Sequence, residues 1–261
     1  MKAFIVHAHH EPRSMNGALT AAATAALTRA GHEVEVSDLH AMRFDPVSDR
    51  RNFTTAKDET YLKQQLEEMH AVASGTFAPD VAAEMRKVEA CDLMIWQFPL
   101  WWFGLPAILK GWVDRVFAMG WAYGGGKIYE TGPFRGKRAL LSLTTGGPQA
   151  SYVKGGFNGD LDGILRPVQR GMLRFCGFDV LAPHVVFGPV RLGDDERSIR
   201  YGKRAVELSP ESPHVSYFAA ISAAARGDRQ QASRLINRAI EQGYPKALAV
   251  SDPALRGVRI G

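Results

Sequence analysis

The sequence predicts an α/β protein built on a doubly wound sheet of five parallel strands, with a small helical appendage at its C-terminus. Strand-like runs recur at Lys2–His7, Glu33–Asp38, from Leu93, and at 138–144 and 180–187, with helical periodicity between them. The first two runs flank a helical stretch and make a βαβ unit, which favours parallel pairing. The unusual residues gather just past strand ends, at 7–9, 98–99 and 144–145, where open parallel sheets bind their ligands.

The elements follow in order. The first strand is ended by Glu11-Pro12-Arg13-Ser14, and residues 16–29 make a helix with Leu19, Ala22, Ala23, Ala26 and Leu27 at helical spacing and Gly31 as its stop. Glu33–Asp38 alternates as a second strand. Residues 42–75 are polar and irregular, with a helix expected around 61–72, and this long connection is where cofactor or partner contacts are expected. A helix over 79–89 feeds the buried run Leu93-Met94-Ile95-Trp96. There follow the loop Gln97-Phe98-Pro99-Leu100-Trp101-Trp102-Phe103-Gly104-Leu105-Pro106 and a helix from Ala107. The strand at 138–144 runs into Thr145-Gly146-Gly147-Pro148. A helix over 161–175, stopped by Gly177, precedes the last strand at 180–187.

The chain of 261 residues is 46% hydrophobic and 23% charged, ordinary for a soluble globular protein. A net charge of +5 favours anionic ligands, but Lys and Arg are spread along the chain with no basic run interleaved with aromatics, so a nucleic-acid partner is not expected. Cys91 and Cys176 each lie in an apolar stretch and read as reduced core residues of a cytosolic protein. The N-terminal apolar run is too short for a signal peptide, and residues 91–112 contain Asp92, Gln97, two prolines and two glycines, so no membrane insertion is expected.

Each loop suggests its own chemistry. Three adjacent aromatics at 101–103 are costly to leave in water; either a neighbouring loop covers them or a flat aromatic ligand does, and their position past a strand end favours the ligand. His7-Ala8-His9-His10 lacks acidic or His partners at ligand spacing, so an anion site at the following helix N-terminus is preferred to a metal, and no metal is expected. Ser14 fits either that anion site or a plain N-cap, and the roles are compatible. Thr144-Thr145-Gly146-Gly147 reads as an ordinary tight turn or as backbone brought close to a ligand. The first strand-to-helix loop lacks G-x-G-x-x-G and its following acidic residue, so a flavin fits these loops better than a nicotinamide.

The segments Ala3-Phe4-Ile5-Val6-His7-Ala8-His9, Gln97-Phe98-Pro99-Leu100 with Trp102-Phe103-Gly104, Pro106-Ala107-Ile108-Leu109-Lys110-Gly111-Trp112, Gly132-Pro133-Phe134, Thr144-Thr145-Gly146-Gly147 and Phe175-Cys176-Gly177-Phe178 resemble the NAD(P)H:quinone oxidoreductase family of DT-diaphorase and its bacterial relatives, over about residues 3–200. The resemblance implies a flavodoxin-like fold, non-covalent FAD, NAD(P)H as reductant, a homodimer with active sites across its interface, and ping-pong two-electron reduction of a quinone. It implies that His9 contacts the pyrophosphate; that Ser14, Met15, Asn16 and Ala18 form the phosphate and ribityl loop; and that Pro99, Leu100, Trp101, Trp102 and Phe103 lie against the isoalloxazine. Thr144, Thr145, Gly146 and Gly147 would line its polar edge. Tyr152 falls on the family's active-site tyrosine, and Tyr123, with Ile128 near it, on the substrate wall lent by the second subunit. The adenine-side glutamine has no secure match among Lys63, Gln64 and Gln65. One departure is chemical: Gly156-Phe157-Asn158-Gly159-Asp160 places Asn158 where DT-diaphorase has a histidine, and the proton donor paired with the tyrosine is replaced.

The expected domains are 1–204, the FAD-binding quinone reductase, and 205–261, a helical hairpin. In the hairpin, Gly227, Ala232, Ile236 and Ala239 sit at tetratricopeptide spacing, with Pro245 near the expected end. A generic hairpin and a single tetratricopeptide-like repeat both fit. The expected function is cytoplasmic FAD-dependent quinone reduction; the rival is a flavin-bound regulatory subunit of a membrane transporter.

Overall fold

A computed structural model describes residues 1–189, 213–225, 227–252 and 255–261. The chain forms two compact units, Met1–Gly188 and Pro189–Gly261. The boundary expected at 204/205 lies outside the described residues.

The first unit is the expected doubly wound sheet. Its elements are β1 (Lys2–His7), α1 (Met15–Arg29), β2 (Glu33–Asp38), α2 (Gln64–Ser74), α3 (Pro79–Ala90), β3 (Leu93–Pro99), α4 (Ala107–Val116), β4 (Arg138–Thr145), α5 (Leu161–Val168), β5 (Asp179–Val180) and β6 (His184–Phe187). The strand order is β2-β1-β3-β4-β5, all parallel, with β6 also paired to β4. This is the flavodoxin-like order, in which the chain reverses direction of winding beside β1.

Alternation along the strands explains the two layers. Ile5, Leu93 and Ile95 face α1, where Ala23 and Leu27 meet them. Phe4, Val6, Met94, Trp96, Phe98, Leu141 and Leu143 point the other way, into the main core with Val81, Val88, Leu109 and Trp112 of α3 and α4. Cys91 and Cys176 are buried free thiols in this core, and burial pushes them up to about 11 and about 12. They are inert packing residues.

Two expectations need correction. The strand over 180–187 is two segments, β5 and β6, because Pro183 lies between them and has no N–H to give the ladder. The helix over 161–175 is α-helical only to Val168 and then widens into a π-helix over Gln169–Arg174. Pro167 sits just before the change and removes an i→i−4 bond. The helix expected around 61–72 is present, at Gln64–Ser74.

The second unit contains α6 (Pro213–Ala225), α7 (Arg229–Glu241) and α8 (Lys246–Ser251). Asp228 caps α7 by accepting the Gln231 N–H at 2.9 Å. Ala220, Ile236, Ala239, Ala249 and Leu255 form a small core of their own, and the Tyr217 and Tyr244 rings stack at 4.1 Å.

Within the first unit, Glu84 on α3 ties three elements. It is fully buried; one oxygen accepts from Ser37 Oγ at 3.1 Å and Lys87 Nζ at 2.7 Å, the other from Trp112 Nε1 at 2.9 Å. Removing the carboxylate leaves the buried Trp112 indole N–H without its acceptor and strips Lys87 of its closest counter-ion, leaving it only Ser37 Oγ at 2.9 Å and the exposed Glu35 at 3.9 Å. Glu84→Ala should therefore lower unfolding free energy by about 3 kcal/mol in urea denaturation. A loss below about 1 kcal/mol, the size of a surface pair, would contradict a buried structural role.

Candidate active site

The carboxyl ends of β1, β3 and β4 lie side by side, since His7 pairs with Gln97 and Pro99 with Thr144. The three loops that leave them are therefore neighbours, as the sequence reading expects. What locks them together was not anticipated. Gln97 Nε2 on β3 donates to Asn16 Oδ1 at 2.8 Å, and Asn16 Nδ2 on α1 donates to Thr144 Oγ1 on β4 at 3.1 Å. All three residues are buried. The one polar side chain in the otherwise apolar run 93–99, Gln97, was the available signal, because a buried amide needs partners.

The first loop is an anion-binding shape. Ser14 Oγ accepts the Gly17 N–H at 3.2 Å, so it is the N-cap of α1, and α1 has no acidic residue in its first turn. A helix N-terminus of this kind presents N–H groups and a positive dipole end. Gly17 cannot be replaced: a Cβ there would stand 1.9 Å from the Pro12 carbonyl oxygen. Met15 is part-buried and Ala18 exposed. His9 is anchored through Nδ1 to the Glu11 backbone, 3.1 Å from its N–H, which leaves Nε2 for a ligand.

His9 belongs to a larger cluster. Its ring stacks on His10 at 4.7 Å, Trp101 is tilted against both at 5.9 and 5.8 Å, and His40 meets His10 edge-on at 5.9 Å. Burial, then the neighbouring His10, lowers the His40 pKa. His7, buried and bonded through Nδ1 to Thr20 Oγ1 at 2.8 Å, is also held below the ordinary imidazole range by burial. The sequence reading missed His40 because it arrives from the end of β2. Among the described residues no group of three His, Cys, Asp or Glu side chains could hold a metal ion.

The second loop is strained. Trp102 and Phe103 have φ of 50° and 58°, and Gly104 N–H closes the turn on the Trp101 carbonyl at 2.9 Å. Left-handed backbone costs an ordinary residue about 1–2 kcal/mol, and such outliers concentrate at ligand clamps. The turn is held from its base by Pro99 and Leu100, both buried, with the Leu100 N–H on the Thr144 carbonyl at 2.8 Å. Its effect is to stand Trp102 outside the protein, 97% exposed, with Trp101 and Phe103 about half exposed beside it.

In the third loop, Thr145 Oγ1 donates to the Gly147 carbonyl at 2.9 Å. The N–H groups of Gly146 and Gly147 have no acceptor among the described residues. A Cβ on Gly147 would lie 3.2 Å from Tyr152 Cε2 and 3.3 Å from Asn158 Nδ2, so the tyrosine and the asparagine converge on this glycine. The Asn158 N–H on the Ser151 carbonyl, at 2.8 Å, fixes that fold-back.

Tyr123 and Ile128 are placed elsewhere. The Tyr123 hydroxyl accepts from Gln65 at 3.4 Å and its ring rests on Phe175 at 5.6 Å, while the Ile128 N–H donates to Thr131 Oγ1 at 3.2 Å. These partners, among the described residues, lie outside the three loops. Burial raises the Tyr123 phenol pKa.

A family model described as the flavodoxin-like fold matches residues 1–207. The chain is 45% identical to NAD(P)H dehydrogenase [quinone] 1 of Cavia porcellus, over 84% of this chain and 80% of that protein. It is 46% identical to ribosyldihydronicotinamide dehydrogenase [quinone] of Pongo abelii, over 75% of this chain and 85% of that protein. Among solved structures, a protein described as a quinone reductase from Klebsiella pneumoniae matches with a TM-score of 0.75 and 41% identity, over 80% of this chain and 84% of that one.

The Gln97–Asn16–Thr144 tie makes a stability prediction of its own. Asn16→Ala leaves the buried Gln97 amide without its acceptor, at a cost of about 1–3 kcal/mol. Urea denaturation should show that loss; an unchanged midpoint would mean that water replaces the asparagine and that the loops are not locked by it.

Proposed function

The chain belongs to the flavodoxin-like NAD(P)H quinone oxidoreductase family, and from that premise we propose that it is an FAD-dependent, homodimeric quinone reductase. The net reaction takes NAD(P)H, a proton and a quinone to NAD(P)⁺ and a hydroquinone. The observation that carries the reading is the convergence, at one sheet edge, of an anion-binding helix N-terminus, an outward aromatic turn and two backbone N–H groups without an acceptor among the described residues.

These residues fit a flavin. Ser14 and the first turn of α1 would hold phosphate, with His9 Nε2 as an added donor. Trp101, Trp102 and Phe103 offer the apolar surface, and Gly146 and Gly147 the polar edge. The imidazole and indole cluster of His9, His10, His40 and Trp101 adjoins the phosphate loop, and gives the diphosphate and purine of a dinucleotide something to lie against; this favours FAD over FMN. A flavin held by these residues would supply the hydride-accepting and hydride-donating chemistry that links the nicotinamide to the quinone in a ping-pong order. The Tyr152 hydroxyl and the Asn158 amide, brought together over Gly147, are donors for the negative charge that develops in that exchange. Asn158 can donate a hydrogen bond but cannot become cationic or release a proton.

Two features support the homodimer. Tyr123 and Ile128 have their partners away from the loops of their own chain, as residues lent to a second site would. Leu66, Met69 and Val72, three residues apart on α2, are exposed together with Tyr61. The C-terminal helices are read as a single tetratricopeptide-like pair, supported by the small alanines at their contact and by the turn at Gly227.

Denaturing the purified protein should release FAD, and the folded protein should turn over a simple benzoquinone with NADPH. Recovery of FMN alone would refute the dinucleotide reading, and a fully loaded protein without turnover would refute the enzyme reading.

Asn158→His restores a titrating donor, and positioned proton transfer contributes about 10²–10⁴-fold at most. Stopped-flow flavin reduction should accelerate and acquire a pH step near histidine's usual pKa of about 6.5 that the wild type lacks at this position. If neither the rate nor the pH profile changes, Asn158 is not at the flavin edge.

A further inference from the structure

Helix α2 grips the segment that carries Tyr123. Buried Glu68 accepts the Met119 N–H at 2.7 Å through one carboxylate oxygen and the Gln64 side-chain amide at 3.0 Å through the other. Three residues earlier on the helix, Gln65 donates to the Tyr123 hydroxyl at 3.4 Å. Between these points the turn closes on itself: the Gly120 N–H donates to the Tyr123 carbonyl at 2.7 Å, and the Ala122 N–H to the Ala118 carbonyl at 2.9 Å. A displacement at Met119 is therefore carried directly to Tyr123.

Glu68 is an unusual choice for this position. Among the described residues no Lys, Arg or His forms an ion pair with it, and burial raises its carboxyl pKa. A buried carboxylate without a cation is costly, and what it supplies in return is a short, charge-assisted bond to one backbone N–H. The segment so fixed runs through Ala122, which is buried, and Tyr123 into Gly124, Gly125 and Gly126, all with positive φ, so the Met119 bond is a polar anchor just ahead of a glycine run of low intrinsic stiffness.

We infer that Glu68 is a positioning residue for the electron acceptor: by holding Met119 it fixes the 118–123 turn, and with it the Tyr123 wall against which a quinone rests. The inference rests on the quinone reductase reading given above, with Tyr123 at the acceptor site. Glu68 makes no bond to the three loops proposed to hold the flavin, so its removal loosens the acceptor wall while the bonds within those loops stay in place.

Steady-state kinetics of the flavin-loaded protein with benzoquinone and NADPH test this. Glu68→Ala should raise KM for the quinone about three- to ten-fold, the size of one net hydrogen bond, with kcat and flavin content near wild type. Glu68→Gln, whose amide oxygen still accepts the Met119 N–H, should restore the wild-type KM. Gln65→Leu loosens Tyr123 without touching the buried carboxylate, so it should raise KM even if Glu68→Ala fails to fold. An unchanged KM in Glu68→Ala and Gln65→Leu would overturn the inference, as would parallel loss of flavin, kcat and thermal stability in both, which marks a purely structural role. A flavin-loaded wild type that does not turn over quinone would fail the parent reading itself, before any variant is compared, and this inference with it.

Discussion

A buried amide on α1, that of Asn16, accepts from Gln97 on β3 and donates to Thr144 on β4, and those two hydrogen bonds set the relative position of three separate crossover loops. Each loop alone is a weak site: a capped helix end, an aromatic turn, a glycine pair. Held in common register at one sheet edge, they offer anion binding, an apolar face and backbone donors together. Because all three side chains are buried, their polar groups have no water to fall back on, and the tie is as exacting as it is small.

The strained turn at Trp102 and Phe103 depends on that fixed base. Left-handed backbone at two successive bulky residues persists only where the surroundings over-determine it, and here the base is clamped by Pro99, by buried Leu100 and by the bond from Leu100 to Thr144, itself part of the tie. The strain turns a tryptophan outward that hydrophobic burial would otherwise draw in. Elsewhere the same logic runs in reverse: Glu84 and Arg115 are charges drawn into the interior, each matched by several partners, and they hold α3 and α4 in place behind the aromatic loop.

The sheet was legible because β1 to β4 alternate or run apolar over six to eight residues; β2 has the expected bounds to the residue. The two misreadings both involve proline within an otherwise regular pattern, where periodicity continues through Pro167 and Pro183 but the missing N–H does not allow the element to. At the site, residue types and strand ends indicated which loops would meet. They could not indicate that Asn16 would spend its amide on Gln97 and Thr144, that His40 would arrive from β2 to join His9 and His10, or that Glu68 would reach Met119. Those are long-range pairings, set by how crossovers pack and invisible to local spacing.

Anaerobic double-mixing stopped-flow tests most directly whether the three tied loops hold a flavin that carries electrons from a nicotinamide to a quinone. The loaded protein is mixed first with stoichiometric NADPH and then with benzoquinone, and the flavin's visible absorbance is followed. Loss of the oxidised band in the first mixing and its full return in the second is the predicted result. A band that NADPH leaves unchanged, or a reduced band that the quinone does not restore, would contradict it.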